Sequence, residues 1–500
     1  MVGLDHVDVL IVGAGLSGVG AAHHLQKHCP TKSFAILEAR ETLGGTWDLF
    51  RYPGIRSDSD MYTLGYNFRP WTRPKAIADG PSILAYVKDT ARESGIDRHI
   101  RFQHRAVRAS WSSAEAVWTV DIERGPDRSP GQIICNFLFL CAGYYKFEKG
   151  YAPDFPGSES FTGRIVHPQH WPEDLDYAGR NVVIIGSGAT AVTLAPEMAK
   201  TAGHVTVLQR TPTYIVARPD TDPIANALRR LLPASLAYGL TRWKNVLLSM
   251  YFYRLTRTRP ERVKKFLLDG VRQELGPEFD VHTHFEPPYN PWDQRLCLAP
   301  NGDFFAAIRN KSVSMVTDGV AGFTPEGVAL KSGGVLKADV VVTATGLDLQ
   351  VLGGVELWVD GRRVDPARTF NYRGVMFSDV PNLANAFGYT NASWTLKCDL
   401  ICAYICRLLN HMDRTGMRQA TPRVADATLQ AEPWVDFSST YIQRTAHLFP
   451  KQGDRKPWRL NQNYVLDLMA LRYGPMEDGV IEFSAPAAQR APERLMAAAQ

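Results

Sequence analysis

Two glycine-rich turns, Gly13-Ala14-Gly15-Leu16-Ser17-Gly18 and Gly186-Ser187-Gly188-Ala189-Thr190-Ala191, each follow an apolar run and open a helical pattern. That order suits a pyrophosphate. The first glycine permits a tight turn, and the second lets backbone approach the phosphates. The third position, Gly18 or Ala191, lets the helix lie close on the strand. Free N–H groups at the helix start then hold the negative charge. Two such turns in one chain imply two dinucleotides.

The two turns differ at the end of the next strand. Glu38 ends the strand after the first turn, twenty positions past Gly18, where an acid hydrogen-bonds an adenosine ribose. The corresponding strand after the second turn ends in Gln209-Arg210-Thr211, with no acid. An arginine there suits a ribose 2′-phosphate, which a carboxylate would repel. FAD is expected on the first turn, through Gly13, Gly15, Ser17, Gly18 and Glu38. NADPH is expected on the second, through Gly186, Ser187, Gly188, Ala189, Thr190 and Ala191 with Arg210 and Thr211. Such a pair passes hydride from nicotinamide to flavin.

The elements around these turns alternate as strand, turn and helix. Residues 7–28 and 181–200 each read in that order, with second strands at 34–37 and 204–208. The strand ending at Cys141-Ala142-Gly143 is echoed by the strand ending at Ala344-Thr345-Gly346. The expected class is α/β, with two nested Rossmann-like dinucleotide-binding domains and a helical insert in the second. Residues 1–145 form the first part of the FAD domain. Residues 146–335 form the NADPH domain, with the insert at about 223–300. Residues 336–500 return to the FAD domain and add a C-terminal extension.

Composition excludes several classes. A chain of 500 residues exceeds one hydrophobic core, and its 45% hydrophobic and 21% charged content is ordinary for a globular protein. A net charge of +5 over this length forms no concentrated stripe of the kind nucleic acids require. The seven cysteines include no Cys-x-x-Cys pair, which argues against a redox dithiol or a zinc knuckle, and no metal is expected. Cys398, Cys402 and Cys406 read as small buried residues on one helix face. No signal peptide or membrane span is evident, so a reducing, cytoplasmic setting is expected. The insert interleaves Arg229, Arg230, Arg242, Lys244, Arg254 and further cations with Leu, Trp, Tyr and Phe. It reads as a helical insert with a solvated cationic face, and contact with the inner face of a membrane is left open.

Between the turns lies Phe161-x-Gly163-x-x-x-His167-x-x-x-Trp171-Pro172. This resembles the fingerprint of type I Baeyer–Villiger monooxygenases, and the likeness extends over almost the whole chain, closest to the ethionamide-activating subgroup. Supporting segments include residues 44–48, 51–58, 290–298, 388–397 and 457–464. The resemblance implies FAD, NADPH and dioxygen, with a peroxyflavin attacking a ketone to give an ester or lactone. S-oxygenation of sulfides is a second implied activity. It also implies cofactor contacts from Gly45, Thr46, Trp47, Asp48, Arg56, Ser57 and Asp58. Arg295 matches the family's active-site arginine, and Asp58 matches the acid that positions it. A permanent cation there would stabilise the anionic oxygens of the reaction. His167 and Trp171 read as structural residues of an interdomain segment. One departure is Gln294, where many members carry a lysine that assists 2′-phosphate recognition. Rival readings are a monooxygenase acting on nitrogen or sulfur, a reductase on the same scaffold, and a non-catalytic nucleotide-binding protein. The oligomeric state is not legible.

Overall fold

The computed structural model describes residues 5–435 and 438–486. Its first unit is built around the strand Asp5–Val12, whose Val9, Leu10 and Ile11 are fully buried. Burial on both faces explains the unbroken apolar run, as in parallel sheets covered on both sides. Asp5–Val12 pairs in parallel with Phe34–Glu38 on one side and with the second half of Ser129–Leu140 on the other. Ile100–Phe102 closes that edge. Beyond Ser129–Leu140 the sheet turns antiparallel through Val117–Arg124 and His104–Ser112, then adds Glu356–Val359 and Arg362–Arg363. Leu383–Asn385 pairs with the C-terminal end of Ser129–Leu140.

Helix Leu16–His28 packs against helix Trp394–Thr415. The latter buries Cys398, Cys402 and Cys406 along one side, together with Leu400, Ile401, Ile405 and Leu408. All seven cysteines are free and buried. Spacing of three and four residues puts this stripe on the face turned to helix Leu16–His28, where Ser17 donates to Cys398 Sγ and Cys29 Sγ to the Cys406 carbonyl.

The second unit is a fully parallel sheet of five strands. Their order is Val313–Thr317, His204–Gln209, Asn181–Ile185, Val340–Thr343 and Arg164–Val166. The boundary expected at 336 is therefore displaced. Residues 335–337 pair with Gly327–Leu330 in a small antiparallel sheet, and Val340–Thr343 lies inside the second unit. The chain rejoins the first sheet only at Glu356–Val359.

The insert is helical over Pro223–Leu231, Ala234–Thr258, Pro260–Leu275 and Val281–Phe285. Its last expected residues are not helical: Cys297–Pro300 pairs in parallel with Ile215–Arg218. That pairing pins both ends of the insert to one place. The long helix then crosses back onto the first unit. The Tyr238 hydroxyl donates to the Tyr66 carbonyl at 3.0 Å, and Arg242 donates to the carbonyls of Tyr62 and Gly65 at 2.7 and 2.9 Å. Arg242 is thus buried, contrary to its expected place on the solvated face; carbonyl acceptors on the first unit and the Tyr238 hydroxyl draw it inward.

Candidate active site

The two units enclose a cleft of about 1150 Å³, and both glycine turns line it. The turns are built alike. Gly13 has φ 104°, and a Cβ there would meet the Cys141 carbonyl oxygen at 2.6 Å. Gly186 has φ 141°, and a Cβ would meet the Ala344 carbonyl oxygen at 2.3 Å. In each unit the first glycine is pressed against the residue just past the neighbouring parallel strand, so only glycine fits. Helices Leu16–His28 and Ala189–Met198 start at Gly15 and Gly188, and neither start has a side-chain cap. Their first N–H groups have no intrahelical acceptor and form two anion cradles on one cleft.

Glu38 lines the cleft and also secures the first turn. Its Oε2 accepts the Ala14 N–H at 2.9 Å and its Oε1 accepts the Arg40 N–H at 3.0 Å. Burial raises its pKa, against the pull of those two N–H groups. At the second turn the Ser187 hydroxyl donates to the Thr211 carbonyl at 2.9 Å. Arg210 stands exposed at the cleft wall with no hydrogen bond or ion pair among the described residues. Lys331 lies beside it: Asp318 N–H donates to the Gln209 carbonyl at 2.9 Å and Lys331 N–H to the Gly319 carbonyl at 2.8 Å. The carboxylate of Asp318, also at this wall, is turned to Ser332 and to the Gly319 N–H.

Gly15, Ser17, Gly45, Thr46, Trp47, Arg56, Ser57, Asp58, Gly188, Ala189 and Thr190 also face the cleft. Three residues expected to contact cofactor do not line the cleft. Gly18 lies under the turn, where a Cβ would sit 1.8 Å from the Gly13 carbonyl oxygen, so it serves helix packing. Ala191 is buried in the second core. Asp48 is buried and paired with Arg40 at 2.6 Å and Arg51 at 3.6 Å. Ser17 lines the cleft, yet its hydroxyl is engaged: it donates to Cys398 Sγ at 3.4 Å and accepts from Trp394 Nε1 at 3.0 Å. Arg56 likewise is committed, to Asp303 of the second unit at 2.5 Å.

Arg295 is delivered by the strand that ends the insert, two residues before Cys297. Its side chain is exposed within the cleft, in the space where the two units face each other. Burial opposes its charge most strongly, but Asp58 first, then Tyr144, Tyr441 and Tyr145, hold its pKa above the ordinary arginine value. It is a fixed cation. Burial lifts the carboxyl of Asp58 above its usual range, with Arg295 and Arg56 opposing. The two groups influence each other without forming an ion pair within 4 Å, so the expected direct grip of Asp58 on Arg295 is not made in this structure.

Tyrosines complete the surroundings of Arg295, and residue types alone did not single them out. Tyr144 and Tyr145 hydroxyls are 2.8 Å apart, and the Tyr144 ring stacks on Trp394 at 5.2 Å. Their one signal was position, directly after Cys141-Ala142-Gly143 at the carboxyl end of a parallel strand, where ligands of such sheets bind. Tyr441 reaches the cleft from the C-terminal extension and had no signal.

The fingerprint residues were expected in an interdomain segment, but the contacts of His167, Phe161 and Trp171 fall within the second unit. His167 Nδ1 accepts the Gln169 N–H at 3.2 Å, so Nε2–H donates to the Gly346 carbonyl, also at 3.2 Å. Burial lowers its pKa, which keeps the ring neutral with both nitrogens occupied by backbone. Phe161 packs on Phe323, and Trp171 on Tyr177.

Two family models match: NAD(P)-binding Rossmann-like domain over residues 11–73 and Flavin-binding monooxygenase-like over residues 74–230. The chain is 55% identical to the FAD-containing monooxygenase EthA of Mycobacterium tuberculosis, over 96% of this chain and 98% of that protein. The chain belongs to the FAD-containing monooxygenases. This monooxygenase is also 48% identical to the probable FAD-binding monooxygenase AlmA of Acinetobacter baylyi, over 96% of each. Its fold is shared with an oxidized steroid monooxygenase bound to NADP, at TM-score 0.72 and 24% identity, covering 83% of this chain and 88% of that one. The resemblance read from residues 161–172 is met, and the uncapped turn at Gly13 is a fitting seat for the pyrophosphate of the flavin cofactor.

Proposed function

We propose that this monooxygenase holds FAD on the turn at Gly13 and NADPH on the turn at Gly186, and inserts one oxygen atom of dioxygen into ketones. The products are esters or lactones, and the balance is ketone, NADPH, a proton and dioxygen giving ester, NADP+ and water. Bound FAD would accept hydride from NADPH and supply the activated oxygen. Everything else falls to the side chains. Attack on a ketone carbon leaves negative charge on the carbonyl oxygen, and a preorganised cation beside it is a strong stabiliser. Arg295 meets that requirement, because a guanidinium stays protonated at any working pH and Asp58 reinforces its charge. Arg210, with Lys331 nearby, favours a cofactor bearing a 2′-phosphate. Tyr144, Tyr145 and Trp394 line the same cleft as Arg295 and supply its apolar surface.

The observation that carries this reading is a fixed guanidinium opening into the one cleft that both glycine turns line. Sulfides are the second substrate class for the same site. The test is to load the purified protein with FAD, supply NADPH and isotopically labelled dioxygen, and offer linear, cyclic and aryl ketones alongside sulfides. Labelled ester is the expected result. Sulfoxide or N-oxide with no ester from any ketone would replace the reading with a heteroatom monooxygenase. No NADPH consumption would leave a nucleotide-binding protein.

A further inference from the structure

The insert carries a surface that the chemistry above does not use. On helix Ala234–Thr258 the side chains of Leu236, Leu240, Trp243, Leu247 and Tyr251 are each between 43% and 64% exposed. Steps of four, three, four and four put them on one face. Large apolar groups in a contiguous exposed row mark a contact surface. The row does not end with the helix. Trp243 packs edge-on against Tyr464 at 5.7 Å, and residues 464–473 present Leu466, Met469 and Tyr473, also exposed, beside it.

Charge on this face has one sign. Helices Pro223–Leu231 and Ala234–Thr258 contain six Arg and Lys and no Asp or Glu. Four of the six are engaged: Arg242 is buried, Arg229 donates to the Thr72 carbonyl, Lys244 pairs with Asp222 and Arg257 with Asp293. The side chains of Arg230 and Arg254 remain exposed with no hydrogen bond or ion pair among the described residues, as do those of Arg259 at the helix end and Arg472 beside Tyr473. Arg254 stands three residues past Tyr251, on the same row. Of the acids that touch these helices, Asp222 and Asp293 are paired with Lys244 and Arg257, and Asp60 accepts from Asn245 at 2.9 Å and caps helix Met61–Leu64.

We propose that this face docks on an anionic lipid bilayer, with its leucines at the boundary of headgroups and acyl chains. Trp243, Tyr251 and Tyr473 are amphipathic rings of the kind enriched at that boundary, and unpaired arginines around an apolar row match anionic headgroups. Self-association is disfavoured by the same charges, since a second copy would bring Arg230 and Arg254 against like cations. No helix among the described residues is long and apolar enough to cross a membrane, so the contact would be peripheral. The buried side of the helix reaches the cleft wall, because Val246 packs with Tyr389, which lines the cleft. The docking face and the cleft are thus one layer of side chains apart.

The test uses the FAD-loaded full chain, sedimented with vesicles of phosphatidylcholine alone or mixed with phosphatidylglycerol. Binding to the mixed vesicles should exceed binding to the neutral ones by at least about tenfold and weaken with added salt, as headgroup attraction requires. The exposed double variant Leu240→Asp/Leu247→Asp should lose most of that binding while keeping flavin absorbance and melting temperature; Arg230→Gln/Arg254→Gln should lose the preference for anionic lipid. No sedimentation with either vesicle would overturn the proposal. So would binding that both double variants retain. Oligomers in solution that Leu240→Asp/Leu247→Asp converts to monomers, without vesicle binding by the parent, would assign the face to a second copy. Capture of an acidic protein in place of vesicles would assign it to a protein partner.

Discussion

The Arg56 guanidinium holds both carboxylate oxygens of Asp303, Nη1 to Oδ2 at 2.5 Å and Nη2 to Oδ1 at 3.4 Å. Arg56 belongs to the loop that carries Asp58, and Asp303 is the first residue of helix Asp303–Arg309 in the insert-bearing unit. The clamp therefore sets one wall of the cleft against the other. Asp303→Asn keeps the shape but removes the charge. Its stability should fall by about 1 kcal/mol, the value of a two-point arginine contact that is still partly solvated. Turnover should fall further, because Asp58 loses its anchor. Melting curves and steady-state rates check both, and a variant unchanged in each would show that the contact does not set the wall.

Arg295→Ala should leave flavin bound, since Arg295 forms no ion pair that folding needs. Ester formation should fall by roughly a hundredfold or more, the usual loss when a preorganised charge stabiliser is removed. Arg295→Lys should recover only part, because an ammonium lacks the planar fork. Undiminished ester formation in the alanine variant would remove Arg295 from the chemistry.

Recognition of the 2′-phosphate can be measured without turnover. Arg210→Ala should weaken NADP+ binding roughly ten- to a hundredfold, equivalent to one charged hydrogen-bonding contact, and leave NAD+ nearly unchanged. Lys331→Ala should show a smaller loss of the same kind. Calorimetric titration separates these from a general loss of the site, which would weaken both nucleotides alike.

Behind the cleft, Lys397 and Asp467 form an ion pair at 2.9 Å, with side chains only 6% and 5% exposed. Asp467 also accepts from the Tyr389 hydroxyl at 2.7 Å and from Asn461 at 2.9 Å. Lys397→Met strands a buried carboxylate and should cost about 3–5 kcal/mol. Lys397→Met/Asp467→Asn should recover part of that loss. Urea unfolding measures it; equal losses in the single and double variants would mean that the charge pairing contributes nothing.

Acid sensitivity has an identifiable source at His23. Its ring stacks on Phe68 at 3.6 Å, and burial first, then His24 and Lys27, lower its pKa from 6.5 to about 4. The unfolded chain therefore binds this proton more tightly than the folded one. The associated stability is complete above pH 6.5 and is lost as pH falls from there toward about 4. His23→Phe preserves the stack and should flatten the loss in that window. A stability difference between variant and parent that stays constant with pH would contradict the assignment.

The two cradles were legible because everything they need is contiguous: an apolar strand, a glycine at a positive φ and a helix start lie within one short stretch. The match at residues 161–172 pointed to the family for the same reason, and Gln209-Arg210-Thr211 pointed to the second cofactor. Other features depended on partners far along the chain. Residues 339–346 read as a buried strand returning to the first unit, but an apolar run does not say which neighbours it pairs with, and the pairing with Asn181–Ile185 put Val340–Thr343 in the second unit. Arg242 looked solvated beside other cations until carbonyls at Tyr62 and Gly65 were found to cover it. Tyr441 and Trp394 approach Arg295 from segments distant in the chain. Local chemistry determined which phosphates this chain can hold. Tertiary packing decided which side chains surround the reacting centre, because burial and proximity belong to the folded surface and not to any single segment.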